Sequence, residues 1–424
     1  MNFPAVSASS AAVRHDAGDA SRTLPALVVF SPLRWHADHR RPQHLLTRIA
    51  KHYRVIVVEE PVTTHEDAYL ASSRPAPGVE VLVPHTRVDA AGFHDDQMPV
   101  LQVLLADFAR EQGVAQPIAW LYTPMALPLA QALSPRAVIA DVMADAAAPH
   151  DAPAQWRQRE EALMRLADLV IAGGPSLYQS HRARHANVQC VPNAVDPEHF
   201  APTPLTGSSI ESISARSLHA AIPGPRLGWF GAIDERIDFD LLDRVAAQRP
   251  DWQIVMAGPV APAVAATLPR RPNIHWIGPQ TYAILPHLQA HWDVAILPLR
   301  CDAAPHHANP EQALAYLAGQ KSVVATPTHD VAALVGHIVR LAPDANGFVE
   351  ACRAAMTERG PLRRQRRIDA LIAVHSCTWD RAADRVRQLL AECAREETPV
   401  AVPGTLLAAA AMQQPAARPR YAMS

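Results

Sequence analysis

The sequence predicts an α/β protein made of two doubly wound, Rossmann-like domains that face each other across a cleft. Three observations carry this. Short apolar strands alternate with amphipathic helices from the first recognisable element to near residue 377. The alternation is interrupted once, by a Pro/Gly/Ser-rich stretch, and then starts again. The composition, 49% hydrophobic and 19% charged over 424 residues, supplies apolar surface for two cores of ordinary domain size.

The first strand signal is "LPALVVFS" at Leu24–Ser31. A polar loop, a helical run "QHLLTRIAKHY" and a second strand "RVIVVEE" follow, a parallel βαβ unit. Further strands read at Val79–Val83, Pro117–Tyr122, Ala137–Asp141 and "DLVIAGG" (Asp168–Gly174), with helices at Met98–Gln112, Ala126–Ala132 and Ala154–Ala167. Residues 201–224 change character, with Pro202, Pro204, Gly207, Pro223, Gly224 and several serines. Strand and helix then alternate again: "RLGWFGAI", "DFDLLDRVAAQRP", "WQIVMAGPV", "NIHWIG", "QTYAILPHLQAH", "WDVAILPL", "NPEQALAYLAGQ", "SVVATPT", "DVAALVG" and "HIVRLA". Helices fill Asp344–Arg359 and about Thr378–Arg395. The organisation expected is a disordered N-terminus (1–23), a first domain (24–205), a linker (206–224), a second domain (225–377), a helix (378–395) and a disordered Pro/Ala/Gln-rich tail (396–424).

Composition excludes several function classes. A net charge of -2 gives no field to draw in nucleic acid. The five cysteines, Cys190, Cys301, Cys352, Cys377 and Cys393, are scattered and form no CxxC, which points to a reducing compartment without disulfide framework or zinc site. The 21 histidines include no HExxH, and His306 and His307 are adjacent, a poor spacing for shared ligation. Residues 1–24 lack the apolar centre of a signal peptide. The longest apolar stretch, Val400–Met412, is short of the ~20 residues that span a bilayer. The expectation is a cytoplasmic protein, with peripheral attachment to the inner face of a membrane left open.

Candidate site residues lie where strands end and helices begin, since open α/β sheets bind ligands at their carboxyl edge. Arg34, Arg41 and Gln43 surround the loop after the first strand, where guanidinium forks and free helix N–H groups suit phosphates or polyols. Asp141 and Asp145 follow the strand "AVIAD"; either carboxylate could take a proton from an acceptor hydroxyl, or simply cap a helix. Gly174 and Ser176 mark a strand-to-helix turn that caps a helix or admits a ligand.

Several segments resemble the bacterial glycosyltransferases of retaining GT-B architecture, the group 1 or family 4 type. They are "FSPLRW", "RRPQHLLTRIAKHYRVIVVEEP", "WLYTPMALP", "ADLVIAGGPSLYQSHRARHANVQCVPNAVDPEHF", "LGWFGAIDERIDFDLL", "RPDWQIVMAGPV", "LPRRPNIHWIGPQTYAILPHL", "WDVAILPL" and "NPEQALAYLAGQKSVVATPTHDV". Together they cover about residues 30 to 385. The resemblance implies transfer of a sugar from a nucleotide-sugar to a glycan or lipid-linked acceptor in polysaccharide or envelope assembly, without metal or other cofactor. It places Gly231 and Arg236 at the donor diphosphate; pairing of Arg236 with Asp234 or Asp238 is the alternative. It places Gly278 and Tyr282 by the donor base, with Tyr282 equally suited to a core. It also implies that the final helix, with Trp379, crosses back to the first half.

One segment departs from the family pattern. Relatives carry two glutamates separated by seven residues here, and alignment on "YLAG" puts them at His307 and Ala315. A lysine common in this branch is replaced by Gln312. Ala315 accepts no hydrogen bond from a ribose, and each lost charge-assisted bond costs roughly 1.5–3 kcal/mol. His306, Asn309, Glu311 and Gln312 are the candidate substitutes. The departure leaves a second reading open, a catalytically degenerate protein acting as a scaffold in a polysaccharide-synthesis complex.

Overall fold

The computed structural model describes residues 24–37, 40–143, 155–301 and 311–394. Asp145, His306, His307 and Asn309, like the two termini expected to be disordered, lie outside the described residues.

The first half is built on strands β1 (Ala26–Ser31), β2 (Arg54–Glu59), β3 (Val62–Thr63), β4 (Tyr69–Ala76), β5 (Val79–Thr86), β6 (Ile118–Leu121), β7 (Ala137–Val142), β8 (Leu169–Ala172) and β9 (Val188–Cys190). Its helices are α1 (Arg41–Ile49), α2 (Met98–Gln112), α3 (Leu127–Ala132), α4 (Trp156–Leu166) and α5 (Pro175–His181). The sheet runs β3-β5-β2-β1-β6-β7-β8-β9 and is parallel except for β4, which returns antiparallel along β5. The central strands read as unbroken apolar runs because helices cover both faces. One face packs Leu27, Val29, Val55 and Ile139 under α1, and the other packs Val28, Phe30, Leu121 and Ala140 under α2, α3 and α4.

The second half contains α6 (Ile210–His219), β10 (Arg226–Phe230), α7 (Phe239–Gln248), β11 (Gln253–Ala257), β12 (Ile274–Trp276), α8 (Leu285–Ala290), β13 (Val294–Leu297), α9 (Glu311–Ala318), β14 (Val323–Ala325), α10 (His329–Val335), β15 (Arg340–Leu341), α11 (Ala345–Thr357) and α12 (Gly360–Ser376). Its sheet is wholly parallel, ordered β12-β11-β10-β13-β14-β15. Strand order therefore reverses between β10 and β13 here, and between β1 and β6 in the first half. Those reversals open the crevices in which doubly wound sheets hold ligands.

Strands β3 and β4 are absent from the sequence reading, and three further features differ from it. The stretch read as linker carries α6, capped by Ser209; its serines and Pro/Gly neighbours masked the helical spacing. The chain changes core earlier than residue 205: Ala194 packs in the first core, Val195 and Phe200 in the second. Between the two later helices stands α12, whose inward face is only Ala370 and Val374, too small to give a strong period.

The last helix, α13 (Trp379–Cys393), leaves the second half. Thr378 caps it, and Trp379, Ala383, Val386, Leu389 and Leu390 form one buried stripe that packs against α1. Trp379 stacks on His44 of α1, ring centroids 4.7 Å apart. The outward and returning chains meet where they cross. Val195 N–H donates to the Cys377 carbonyl (2.9 Å), and Trp379 N–H donates to the Val195 carbonyl (3.2 Å).

Candidate active site

The carboxyl ends of the two sheets face each other, and side chains following β8 and β9 touch side chains following β13 and β14. The most developed contact is a polar chain that begins inside the first half. Asp141, at the end of β7, accepts a bond from Arg41 Nε at 3.2 Å, with side chains 0% and 2% exposed. Arg41 Nη1 continues to the Val191 carbonyl (2.9 Å) and to Asn193 Oδ1 (3.2 Å). Asn193 Nδ2 then donates across the gap to Glu311 Oε2 at 3.1 Å. Burial raises the Asp141 carboxyl above its ordinary range, and the guanidinium beside it pulls it partly back. A neutral Asp141 would leave Arg41 buried and unpaired, so the ionic form is the consistent one.

This geometry corrects two assignments. Asp141 cannot touch an acceptor hydroxyl while it is enclosed by Arg41, Tyr122 and Trp120. Arg41 is a buried strut that fixes Asn193, not an open cleft cation. Two further residues of the first loop are likewise committed. Gln43 is buried, accepts from Arg40 N–H and donates to the Trp35 carbonyl, completing the start of α1. Arg34 reaches Glu59 Oε2 (3.1 Å) and the Glu60 carbonyl (2.6 Å), tying its loop to the end of β2. Gln43 thus caps a helix, whereas Arg34 keeps a partly exposed side chain.

In the second half three glycines end adjacent strands. Gly231 follows β10 at φ +139, and Gly258 follows β11 at φ +156. A Cβ on Gly258 would lie 1.8 Å from the Gly231 carbonyl oxygen, so only glycine permits this approach. Gly258 N–H donates to the Gly278 carbonyl. Gln312 closes over this floor, since a Cβ on Gly231 would sit 2.9 Å from its Nε2. The sequence reading missed Gly258, although its place after "QIVMA" was a usable signal.

Arg236 lies in the loop after Gly231, its side chain 40% exposed. Its Nε and Nη2 grip Asp234 at 2.7–3.1 Å, the pairing weighed as the alternative to a phosphate role. The loop is pinned at both sides, by Arg300 N–H to the Arg236 carbonyl and by Asp238 N–H to the Pro298 carbonyl, both beside β13. Asp238 then caps α7 through Leu241 N–H.

Helix α9 brings Glu311 and Gln312 to the crevice and buries Ala315, which is 2% exposed in the second core. Tyr316 fixes the helix in place: its hydroxyl accepts from Phe230 N–H at 2.9 Å. Burial pushes the Glu311 carboxyl up to about 7, against the pull of Asn193, Arg40 and Arg41. Tyr282 stacks on His199 at 3.9 Å and meets His44 edge-on, and its hydroxyl is pushed up by burial, then by Asp196 and Glu311. It belongs to the aromatic seam at the chain crossing.

A second contact joins the halves at α5. Asp330, 1% exposed at the start of α10, accepts from Ser176 N–H (2.9 Å) and from the Ser176 hydroxyl. Gly174 is needed there, because a Cβ would come within 2.6 Å of Asp330 Oδ2. Ser176 therefore binds a carboxylate of the other half and does not cap its own helix. Neither Asn193 nor Asp330 was singled out from sequence. Among the described residues, no group of three histidine, cysteine or acidic side chains is arranged to hold a metal ion.

With this geometry in place, comparison with known proteins defines the fold. No protein-family model matches the chain. TuaH of Bacillus subtilis (strain 168), whose name assigns it provisionally as a teichuronic acid biosynthesis glycosyltransferase, is 30% identical over 147 residues. That match spans 34% of this chain and 35% of TuaH. Sucrose-phosphate synthase of Thermosynechococcus elongatus superposes over 87% of this chain and 98% of its own, with TM-score 0.63 and 15% identity. Anabaena HepE, solved in complex with UDP and glucose, superposes over 87% of this chain and 100% of its own, also with TM-score 0.63 and 15% identity.

Proposed function

The chain has the GT-B fold, and from that premise we propose that it is a glycosyltransferase. It moves a sugar from a nucleotide-sugar donor to a glycan or lipid-linked acceptor in the building of an envelope polysaccharide. The observation that carries the reading is the meeting of Glu311 and Asn193 across the crevice, beside the glycine floor of Gly231, Gly258 and Gly278. The likeness to TuaH and to a structure holding UDP and glucose supports the same reading.

In this proposal the diphosphate lies along the loop from Gly231 to Asp238. Arg236 is the cation for the charge that grows on the leaving group as the glycosidic bond breaks. Asp234 holds the guanidinium in place and also offsets part of its charge. Glu311 replaces the absent carboxylate at Ala315 and accepts hydrogen bonds from hydroxyls of the ribose or transferred sugar. A carboxyl near 7 can both hold and release a proton at neutral pH. The acceptor approaches from the first half, and no metal or cofactor is invoked. Retention of anomeric configuration follows the family resemblance alone.

The second reading, a degenerate scaffold protein, is favoured by Ala315, which lies in the core with no carboxylate to offer. A panel of UDP-, GDP- and dTDP-sugars, assayed for nucleotide release with membrane extracts as acceptor source, separates the two. Release from at least one donor, lost in Glu311→Ala, supports the enzyme. Donor binding without release supports the scaffold, and absence of both sinks the nucleotide-sugar proposal.

A further inference from the structure

Helix α12 belongs to the second half, where it packs against the carboxyl end of α9, and its exposed side is unusual. A surface helix ordinarily turns its apolar residues inward. Here the inward positions are the small Ala370 and Val374, while Leu362, Ile368, Leu371 and Ile372 are 73%, 51%, 41% and 62% exposed. Ile368, Leu371 and Ile372 stand at i, i+3 and i+4, so they share one outward face. Large apolar side chains grouped on one exposed face mark an interaction surface.

The charges beside them give the partner's chemistry. Arg359, Arg363, Arg364, Arg366 and Arg367 fall within nine residues that contain no acid, in a chain whose net charge is -2. Arg366 is paired with Glu358, and Arg367 is bonded to Gln320. Arg363 and Arg364 are exposed and form no ion pair among the described residues. Arg363, Arg366 and Arg367 also line a small cavity with Lys321 and Ser322 at the end of α9, in which Glu358 is the one acid.

We propose that α12 docks on an anionic lipid bilayer, lying in the interface with Ile368, Leu371 and Ile372 among the upper acyl chains and the arginines among the headgroup phosphates. Polyanions such as nucleic acid would use the arginines but leave the apolar face wet. An acidic bilayer satisfies both at once, the combination that holds amphipathic helices in the interfacial plane. No helix among the described residues is long and apolar enough to cross a membrane, so this is attachment and not insertion. The inference rests on α12 and stands apart from the glycosyl-transfer reading.

Flotation of the full chain with vesicles tests it. The expected result is binding to phosphatidylcholine mixed with phosphatidylglycerol, none to phosphatidylcholine alone, and weakening by salt. Ile368→Ser/Ile372→Ser and Arg363→Glu/Arg364→Glu should each lower partitioning by about tenfold or more while the thermal midpoint stays unchanged. Failure to bind anionic vesicles overturns the proposal. So does binding that either variant pair leaves intact, or a soluble dimer, broken by the isoleucine pair, that ignores vesicles.

Discussion

Removing the Asp141 carboxylate distinguishes a buried strut from a catalytic base. In the wild type the ion pair with Arg41 spans 3.2 Å with both side chains almost wholly enclosed. Asp141→Ala leaves a guanidinium buried without its counter-charge, a loss of about 3–5 kcal/mol. Asp141→Asn keeps an acceptor oxygen but loses the charge, and should cost about 1.5–3 kcal/mol. Either loss is a large fraction of the ~5–15 kcal/mol that holds a domain folded. Urea unfolding followed by tryptophan fluorescence is the assay, since Trp120 is fully buried beside the pair. The first-half transition should move to lower urea by the order Ala, then Asn, then wild type. An Asp141→Asn protein with an unchanged transition but turnover reduced over about a hundredfold would refute this reasoning and restore the carboxylate to catalysis.

Other consequences follow from the same structure. Glu311 holds a proton in the folded state that it loses when unfolded, so between pH 4.5 and about 7 stability falls as pH rises. Glu311→Gln removes that slope and should be the more stable protein at pH 8 by roughly 1–3 kcal/mol, with no advantage near pH 4; parallel melts across pH check it. Trp379→Ala removes the first buried anchor of α13 and its stack on His44, so a loss of about 3–5 kcal/mol is expected in chemical denaturation. Gly258→Ala forces a Cβ against the Gly231 carbonyl and should cost more than about 2 kcal/mol, read from the unfolding midpoint. Arg236→Ala should weaken nucleotide-sugar affinity by roughly ten- to a hundredfold in a titration while leaving the melt unchanged.

Much of the fold was legible because parallel strands buried on both faces read as plain apolar runs, and because the second alternation repeats the first. The site was less legible for a physical reason. Residues at strand ends look alike in sequence whether they face a ligand or brace the scaffold. Arg41, Asp141 and Gln43 have the chemistry of a site and the burial of a frame, and burial is settled by the packing of α1 against β7 and the segment after β9. Asn193 and Asp330 act through the opposite half, a partnership that no local spacing encodes. Helix α12 escaped because its period is outward, with the apolar residues on the solvent side.

Calorimetric titration with UDP-, GDP- and dTDP-sugars, on the wild type and on Glu311→Ala, tests the central claim most directly. The account predicts saturable binding of one donor class to the wild type and a loss of about tenfold or more in the variant, because Glu311 stands in the crevice between the halves. Absence of binding by every donor, or tight binding that the variant leaves untouched, would contradict it.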